Sequence, residues 1–514
     1  MIGSNWRWRL PTRSQTLVCS CFSFVFLCFS STTAVTVSAQ DTETGLAYGD
    51  PLPPLPLPQH AGRTPETPEM TRPQESQPNR DSRMLVQKQG SRTREMPVPG
   101  KPGRGLVPLD ELDSEASESA DLENMGQLSF VPHQFRNGGI TFEYIYTGES
   151  FTKDRGGLSS TRSTNYRSNF DLVGMLNTSK MGWWDNGRLF VYGQNVSGRP
   201  LSKEDVGDVQ LFSNLDSTIS DTERPNFTTI AEYWYEHLLL DGKMRFKVGK
   251  QDSNVDFALS DLGGDFVNSS FGFPPMIPFP TFPSQALGMS CFLNLTDELT
   301  FGLGALDGTL PSGPQGVRWG FDTLGHNGMI SLYQLEWKPA LGADGQLPTT
   351  LRTGIWHHSD KDVWVELSAN PNPVTFNQNY GVWTTADQMI WKESDSADDD
   401  QGLGVFGQFG WAPGDRNLLQ EYYGGGAVYK GLLTGRDSDL IGFGIAAAMF
   451  SSGFRTQNAA ANIDITRFET DYELFYKYQH SRFISLQPDM QYISSPGGMY
   501  KDTIVAGLRF EVVL

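Results

Sequence analysis

The chain has little cysteine. Of four cysteines in 514 residues, Cys19, Cys21 and Cys28 fall near the N-terminus and only Cys291 lies beyond them, which excludes an intramolecular disulfide framework. The runs of ~20 apolar residues that membrane-spanning helices require are also missing. The nearest approach, Leu17 to Phe29, is short and lies at the front of the chain. Positive charge is scarce as well: 40 lysines and arginines stand against 59 aspartates and glutamates, a formal charge of −19, which argues against a nucleic-acid binder. No fixed-period repeat of the kind that marks propeller blades is present.

What stands at the N-terminus has the layout of an export signal. Arg7, Arg9 and Arg13 form a cationic stretch, Leu17 to Phe29 a short apolar core, and Val37-Ser38-Ala39 a small-residue cleavage site. Residues 1–39 are therefore expected to be removed. The mature chain would then hold 37 basic against 59 acidic residues, a charge of −22. No Leu-x-Gly pattern precedes any of the three early cysteines, so a lipid anchor is disfavoured. Export without disulfides at this size fits bacteria better than eukaryotic secretion. Residues 40–125 are rich in Pro, Ser, Arg and Glu and include the run Pro51-Leu52-Pro53-Pro54-Leu55-Pro56-Leu57-Pro58. Such a composition cannot bury a core, and a disordered, polyproline-like linker is expected there. Its proline run is also a form in which a chain docks on a partner.

From 126 to 514 the dominant pattern is period-two alternation. In the last segment Ile504, Ala506, Leu508, Phe510, Val512 and Leu514 share one face, and Thr503, Gly507, Arg509 and Glu511 the other; Val505 and Val513 interrupt the second face. Before it, Ile484, Leu486, Met490 and Tyr492 alternate with Ser485, Gln487, Asp489 and Gln491, and Phe468, Tyr472, Leu474, Tyr476 and Tyr478 with Arg467, Glu469, Asp471, Glu473, Lys477 and Gln479. At the other end Ile140, Phe142, Tyr144 and Tyr146 alternate with Thr141 and Glu143. A helix would scramble these faces. Roughly sixteen strands are expected between Gly139 and Leu514, with the weakest alternation near Ala286, Tyr380 and Tyr422. A soluble sandwich or propeller would place the apolar face in a core, whereas a transmembrane barrel places it in lipid and the polar face in a lumen. Three features favour the barrel: a last segment with no polar tail after Leu514, aromatic residues near segment ends, and charges of both signs on the polar faces.

Several blocks then resemble the carbohydrate-selective outer-membrane porins, the OprB family. Phe246-Lys247-Val248-Gly249-Lys250-Gln251-Asp252, with Asn254 and Asp256-Phe257 after it, is similar to the family's basic strand and acidic turn. Asp265-Phe266-Val267-Asn268-Ser269-Ser270-Phe271-Gly272 and the proline-rich Pro274 to Pro283 resemble the long loop that follows. Leu486-Gln487-Pro488-Asp489-Met490-Gln491-Tyr492-Ile493, with Pro496-Gly497-Gly498 and Gly507-Leu508-Arg509-Phe510-Glu511, is the third block. The resemblance runs from about Gly139 to Leu514. It departs at Leu514, where barrel proteins commonly end in an aromatic residue.

The resemblance implies an all-β, antiparallel transmembrane barrel of about sixteen strands in a bacterial outer membrane. It would let sugars and small solutes diffuse, contact outer-membrane lipid and depend on the barrel-assembly machinery. Such a pore needs no cofactor, metal or nucleophile, and a homo-oligomer is compatible with it. It needs a polar constriction whose groups replace part of the solute's water. Glu232, Trp234 and Glu236 share one face opposite Ala231, Tyr233 and Tyr235; Lys243, Arg245 and Lys247 share a face on the next segment. Together with Asp252 and Asn254 these are the candidate pore-lining or solute-contacting residues. Against this, charges on such faces often merely solvate a wide lumen and pair across strands. Arg352, Arg467, Glu469 and Glu473 belong to the same class.

Two readings of the aromatic, proline-rich stretch Asp265 to Pro283 stand side by side, one folding it into the pore and the other packing it on the rim. Asp252, Asn254 and Asp256 alternate like a calcium loop, but the glycine and closing glutamate of such a loop are absent, so a structural turn is expected. Gly442-Phe443-Gly444-Ile445-Ala446-Ala447 has no helical pattern after it and is read as small strand residues. Adjacent His357 and His358 point to opposite faces of a strand. The acidic run Asp398-Asp399-Asp400, preceded by Asp395, is read as a solvated extracellular loop. A secreted carbohydrate-binding or carbohydrate-degrading β protein is the alternative function.

Overall fold

The structure is a computed structural model and describes residues 138–513 apart from 217–225, 309–318, 322, 327, 340, 343–346, 361–363, 395–399 and 482. The export signal at 1–39, the linker at 40–125, the domain start at 126, Asp395, Asp398, Asp399 and Leu514 lie outside the described residues.

The alternating segments form strands. They are β1 (Ile140–Lys153), β2 (Ser163–Asn177), β3 (Gly187–Gly198), β4 (Phe227–Leu239), β5 (Met244–Gln251), β6 (Ala286–Asn294), β7 (Leu299–Asp307), β8 (Met329–Trp337), β9 (Thr349–His358), β10 (Trp364–Val365), β11 (Thr375–Phe376), β12 (Asn379–Lys392), β13 (Gly402–Trp411), β14 (Leu419–Lys430), β15 (Leu440–Phe450), β16 (Phe468–Ser481), β17 (Ile484–Ser494) and β18 (Thr503–Val513). β10 and β11 pair only with each other, and the other sixteen close into one barrel. Each barrel strand pairs antiparallel with its neighbours, and β18 returns to β1 with Glu511 opposite Thr147 and Arg509 opposite Glu149. Closure pairs both edges of each barrel strand.

The two faces divide as the alternation requires. Tyr472, Leu474, Leu486, Met490, Tyr492, Ile504 and Leu508 point outward and are exposed, whereas Glu469, Asp471, Glu473, Gln487, Asp489, Gln491, Thr503, Arg509 and Glu511 point inward and are buried. A soluble β protein would need the reverse, with its apolar face inside. The interrupting Val505 also points inward, where it packs with Phe151, Leu201, Val206, Phe212, Val267 and Ile493.

One end of the barrel carries short turns, such as 240–243, 295–298 and 482–483, and the other end long connections, among them 199–226, 252–285 and 308–328. The connection 393–401, which holds the acidic run, joins β12 to β13 at the short-turn end. The expectation of an extracellular loop is thus corrected, and Asp400 there pairs with Lys430 at the end of β14.

The long connection 252–285 folds into the barrel. Inward carboxylates hold its backbone: Glu473 accepts from Val267 N at 2.6 Å and Asn268 N at 2.9 Å, and Asp387 from Leu262 N at 2.9 Å. Arg352 donates to the Leu259 carbonyl at 3.0 Å and pairs with Asp261 at 3.0 Å. Phe266, Phe271, Phe273 and Phe279 are fully buried against inward residues of the wall, including Phe292, Trp383, Phe406, Tyr422 and Phe475. This contact explains the weak alternation near Ala286, Tyr380 and Tyr422. β6, β12 and β14 put the apolar Phe292, Trp383 and Tyr422 on their inward faces because a protein loop, and not water, covers them there.

Small residues make the space for this packing. A Cβ on inward-facing Gly444 would lie 2.7 Å from the rings of Phe266 and Phe271, and one on Gly410 would lie 2.5 Å from the Met276 sulfur. Gly442 and Gly444 are small strand residues on β15, as expected.

The connection 199–226 enters the barrel too. Glu469 accepts from Val209 N at 2.9 Å and Gln210 N at 2.9 Å, Glu149 from Ser213 Oγ at 2.6 Å, and Asn214 from Arg509 at 2.7 Å. The polar inward faces of β16, β18 and β1 therefore serve largely as sockets for loop backbone.

Candidate functional site

β3, β4 and β5 carry an uninterrupted ladder of inward side chains. Register places Arg188 opposite Glu236, Phe190 opposite Trp234 and Tyr192 opposite Glu232 between β3 and β4, and Glu236 opposite Lys247 between β4 and β5. Directly opposed side chains on one face are close enough to interact. Arg188 meets Glu236 at 2.6 Å, Arg245 meets the other Glu236 oxygen at 3.1 Å, and Arg245 and Lys247 both bind Asp256, the former at 2.6 Å. Asp256 comes from the infolded connection, so the loop is pinned to the wall by this charge relay.

Inside the relay sits a buried aromatic stack. Phe190 and Trp234 stack with centroids 4.5 Å apart and planes 13° from parallel. The Arg188 guanidinium lies 5.6 Å from the Trp234 ring centre and the Lys247 ammonium 5.3 Å, within the range of cation–π attraction. Trp234 Nε1 donates to Glu232 at 3.1 Å. Across from Trp234 stands Gly249 at φ 137°, where a Cβ would lie 2.9 Å from the Trp234 Cβ; glycine gives the indole its place.

Exposure separates the groups within reach of a solute from those that hold the frame. The side chains of Glu236 and Lys247 are 2% and 3% exposed, whereas Arg188 and Arg245 keep 13% and 19%. The two guanidinium groups are thus the accessible charges. Asp256 is held well below the usual carboxylate range, because Arg245 and Lys247 together outweigh the burial that pushes it up.

The sequence candidates separate on this geometry. Trp234, Glu236, Arg245 and Lys247 come together in the relay, and Glu232 joins it through the indole. Lys243 does not: it is exposed in the 240–243 turn at the barrel's end. Ala231, expected to face away from Trp234, instead packs with Val173, Phe190, Tyr192 and Trp234, because the register slips by one residue between Tyr192 and Gly193. Asp252 and Asn254 form the neck of the infolded loop, as a structural turn. Asp252 accepts from Asn254 N at 2.9 Å and Phe282 N at 3.3 Å, and its own N–H reaches Glu232 at 3.3 Å. Burial, and then the Glu232 charge, push the Asp252 carboxyl up to about 7. Arg352, Glu469 and Glu473 are bound to loop backbone, and Arg467 lies over the Phe468 ring at 5.4 Å. Arg188 and Phe190 were missed, although Arg188, Phe190 and Tyr192 alternate with Leu189 and Val191 in the sequence.

A closed sixteen-stranded antiparallel barrel, apolar outside, with long connections at one end and two of them folded into a charged lumen, defines the class of outer-membrane porins. The model of the carbohydrate-selective porin, OprB family, matches residues 161–514, and the chain belongs to that family. The match starts after β1, whereas the resemblance was expected from Gly139. Porin B of Pseudomonas aeruginosa is 24% identical over 403 residues, covering 73% of this chain and 87% of that protein. The putative porin QuiX of Acinetobacter baylyi is 22% identical over 452 residues, 79% of this chain and 98% of that protein. In fold, the chain superposes on OprB of Pseudomonas putida with a TM-score of 0.65 at 23% identity, over 74% of this chain and 96% of that one. The protein is an outer-membrane porin for small solutes. Its long connections are extracellular and its short turns periplasmic.

Proposed function

We propose that the pore prefers sugars and that the ladder on β3 to β5 provides the preference. The observation that carries this is the pair of accessible guanidinium groups, Arg188 and Arg245, both held on Glu236 beside the buried Phe190–Trp234 stack. A pyranose presents an edge of hydroxyls that accept from the forked guanidinium donors. Both charges arrive already paired, so a neutral solute meets directional hydrogen-bond donors with little net field. Glu232 and Glu236 hold Trp234 and the arginines in place and are assigned no catalytic part. Residues 1–39 act as the export signal in this reading, with 40–125 as a periplasmic spacer and the barrel-assembly machinery and outer-membrane lipid as partners.

Conductance across planar bilayers, with and without glucose, tests the reading. The expected result is channels whose current falls as glucose occupies the ladder. Channels that glucose leaves unaffected would remove the sugar preference, and a mature chain that forms no channels would overturn the pore itself.

A further inference from the structure

A second cavity lies outside the lumen, at the extracellular rim. It is a widely open cleft of about 460 Å³, a volume within the range of roughly 300–1,000 Å³ typical of small-ligand sites. Its floor is aromatic: Tyr380 at the start of β12 and Trp411 at the end of β13 belong to the outward faces, with ring centroids 6.2 Å apart, and Tyr380 is 40% exposed. The roof comes from the connections 359–378 and 412–418, through Ser368 and Asp415-Arg416, and one side from the helix Ser452–Ala460, through Thr456. That helix seats closely because residue 453 is glycine; a Cβ there would lie 2.4 Å from the Leu367 carbonyl and 2.6 Å from that of Gly414.

The charge of the cavity is settled internally. Asp415 and Arg416 are the charged residues lining it, and they pair through two hydrogen bonds of 2.8 and 3.0 Å. Arg416 also donates to the Gln378 carbonyl at 2.9 Å and lies 3.5 Å from the Phe376 ring centre. Its guanidinium is committed, which disfavours a phosphate as the occupant. What the cavity offers is an aromatic floor with neutral polar side chains, Ser368, Gln420 and Thr456, above it. We propose that this rim cavity binds a neutral saccharide ring, separately from the pore. At the level of the outer leaflet such a ring is supplied either by free sugar or by the oligosaccharide of a membrane glycolipid.

The test uses the full chain in detergent, with saturation-transfer NMR titrations of glucose and of a neutral, phosphate-free oligosaccharide from the outer core of lipopolysaccharide. A Trp234→Ala background removes the lumen's contribution. Thr456→Phe fills the cavity from the helix surface, and Gln420→Ala removes a polar lining group; both should leave single-channel conductance unchanged. The expected result is at least a tenfold rise in Kd on Thr456→Phe and a severalfold rise on Gln420→Ala. Loss for glucose identifies free sugar as the occupant, and loss for the oligosaccharide alone identifies the glycolipid. If neither probe binds in a way that depends on Thr456 or Gln420, the proposal is overturned, whatever the conductance shows about the pore.

Discussion

Replacing Asp256 with asparagine isolates the charge relay from the shape of the pore. Asp256 binds Arg245 and Lys247, and the side chains involved are 6%, 19% and 3% exposed. Asparagine keeps the volume and removes the charge, leaving a nearly buried lysine without its carboxylate, a change that costs about 3 kcal/mol locally. The barrel's own ladder is untouched, so the channel persists. The ion-paired groups of the relay are Arg188, Arg245 and Lys247 against Glu236 and Asp256, and their formal charge rises from +1 to +2. An ion passing roughly 10 Å away in water feels this extra charge as about 0.4 kcal/mol. Anions gain and cations lose a factor of about two each, and the chloride-to-potassium permeability ratio should rise about fourfold at low salt. In 1 M salt, where the Debye length is ~3 Å, most of the change should vanish. Reversal potentials across a KCl gradient in planar bilayers read this directly. Active channels whose low-salt reversal potential equals that of the parent protein would refute the reasoning, since the charge would then lie out of reach of the permeating ions.

Other outcomes follow from the same contacts. Trp234→Ala removes the ring beneath the Arg188 guanidinium and should weaken glucose block of the current about fivefold, the equivalent of losing about 1 kcal/mol, while conductance without sugar changes little. Gly444→Leu places a side chain where the Phe266 and Phe271 rings lie 2.7 Å from a Cβ. It should displace the infolded loop, enlarge single-channel conductance and speed hydrogen exchange between 262 and 272, with the barrel still folded on unheated gels. Asp252 has a carboxyl at about 7 in the folded loop against ~3.9 in an unfolded chain. Between those values the ordered neck holds a proton that the released chain gives up, so raising the pH from about 4 to 7 weakens the neck. Exchange protection at Asn254 and Phe282, corrected for intrinsic rates, should fall across that window and become flat in Asp252→Asn.

The strands of the barrel were legible because its two environments differ so sharply. On β16 to β18, lipid outside and buried polar contacts inside leave Leu474, Leu486 and Leu508 on one face and Glu473, Gln487 and Arg509 on the other. The interior was harder to read. Alternation shows that Glu469 and Glu473 point inward, but not that they meet loop N–H groups and not water, because their partners lie more than two hundred residues away. For the same reason the entry of 199–226 went unseen, although Val209, Leu211, Phe212 and Leu215 are an apolar cluster unusual for a solvated loop. Lys243 shares parity with Arg245, yet the strand begins only at Met244, and parity carries no meaning beyond a strand's end. Arg188 and Phe190 become recognisable once the register sets β3 against β4.

The neck at Asp252 has a further consequence for how such a pore can change. One carboxylate receives both ends of the infolded connection, through Asn254 N and Phe282 N, and Ser253 N meets the Pro280 carbonyl at 2.9 Å. The stretch between is therefore a closed lariat whose base stays fixed whatever its circumference. Doubling the length of such a loop costs only about 0.6 kcal/mol in closure entropy. The lining can lengthen, shorten or exchange its side chains while the strands beside it keep their register, so permeability can be retuned in one segment without rebuilding the wall that meets the lipid.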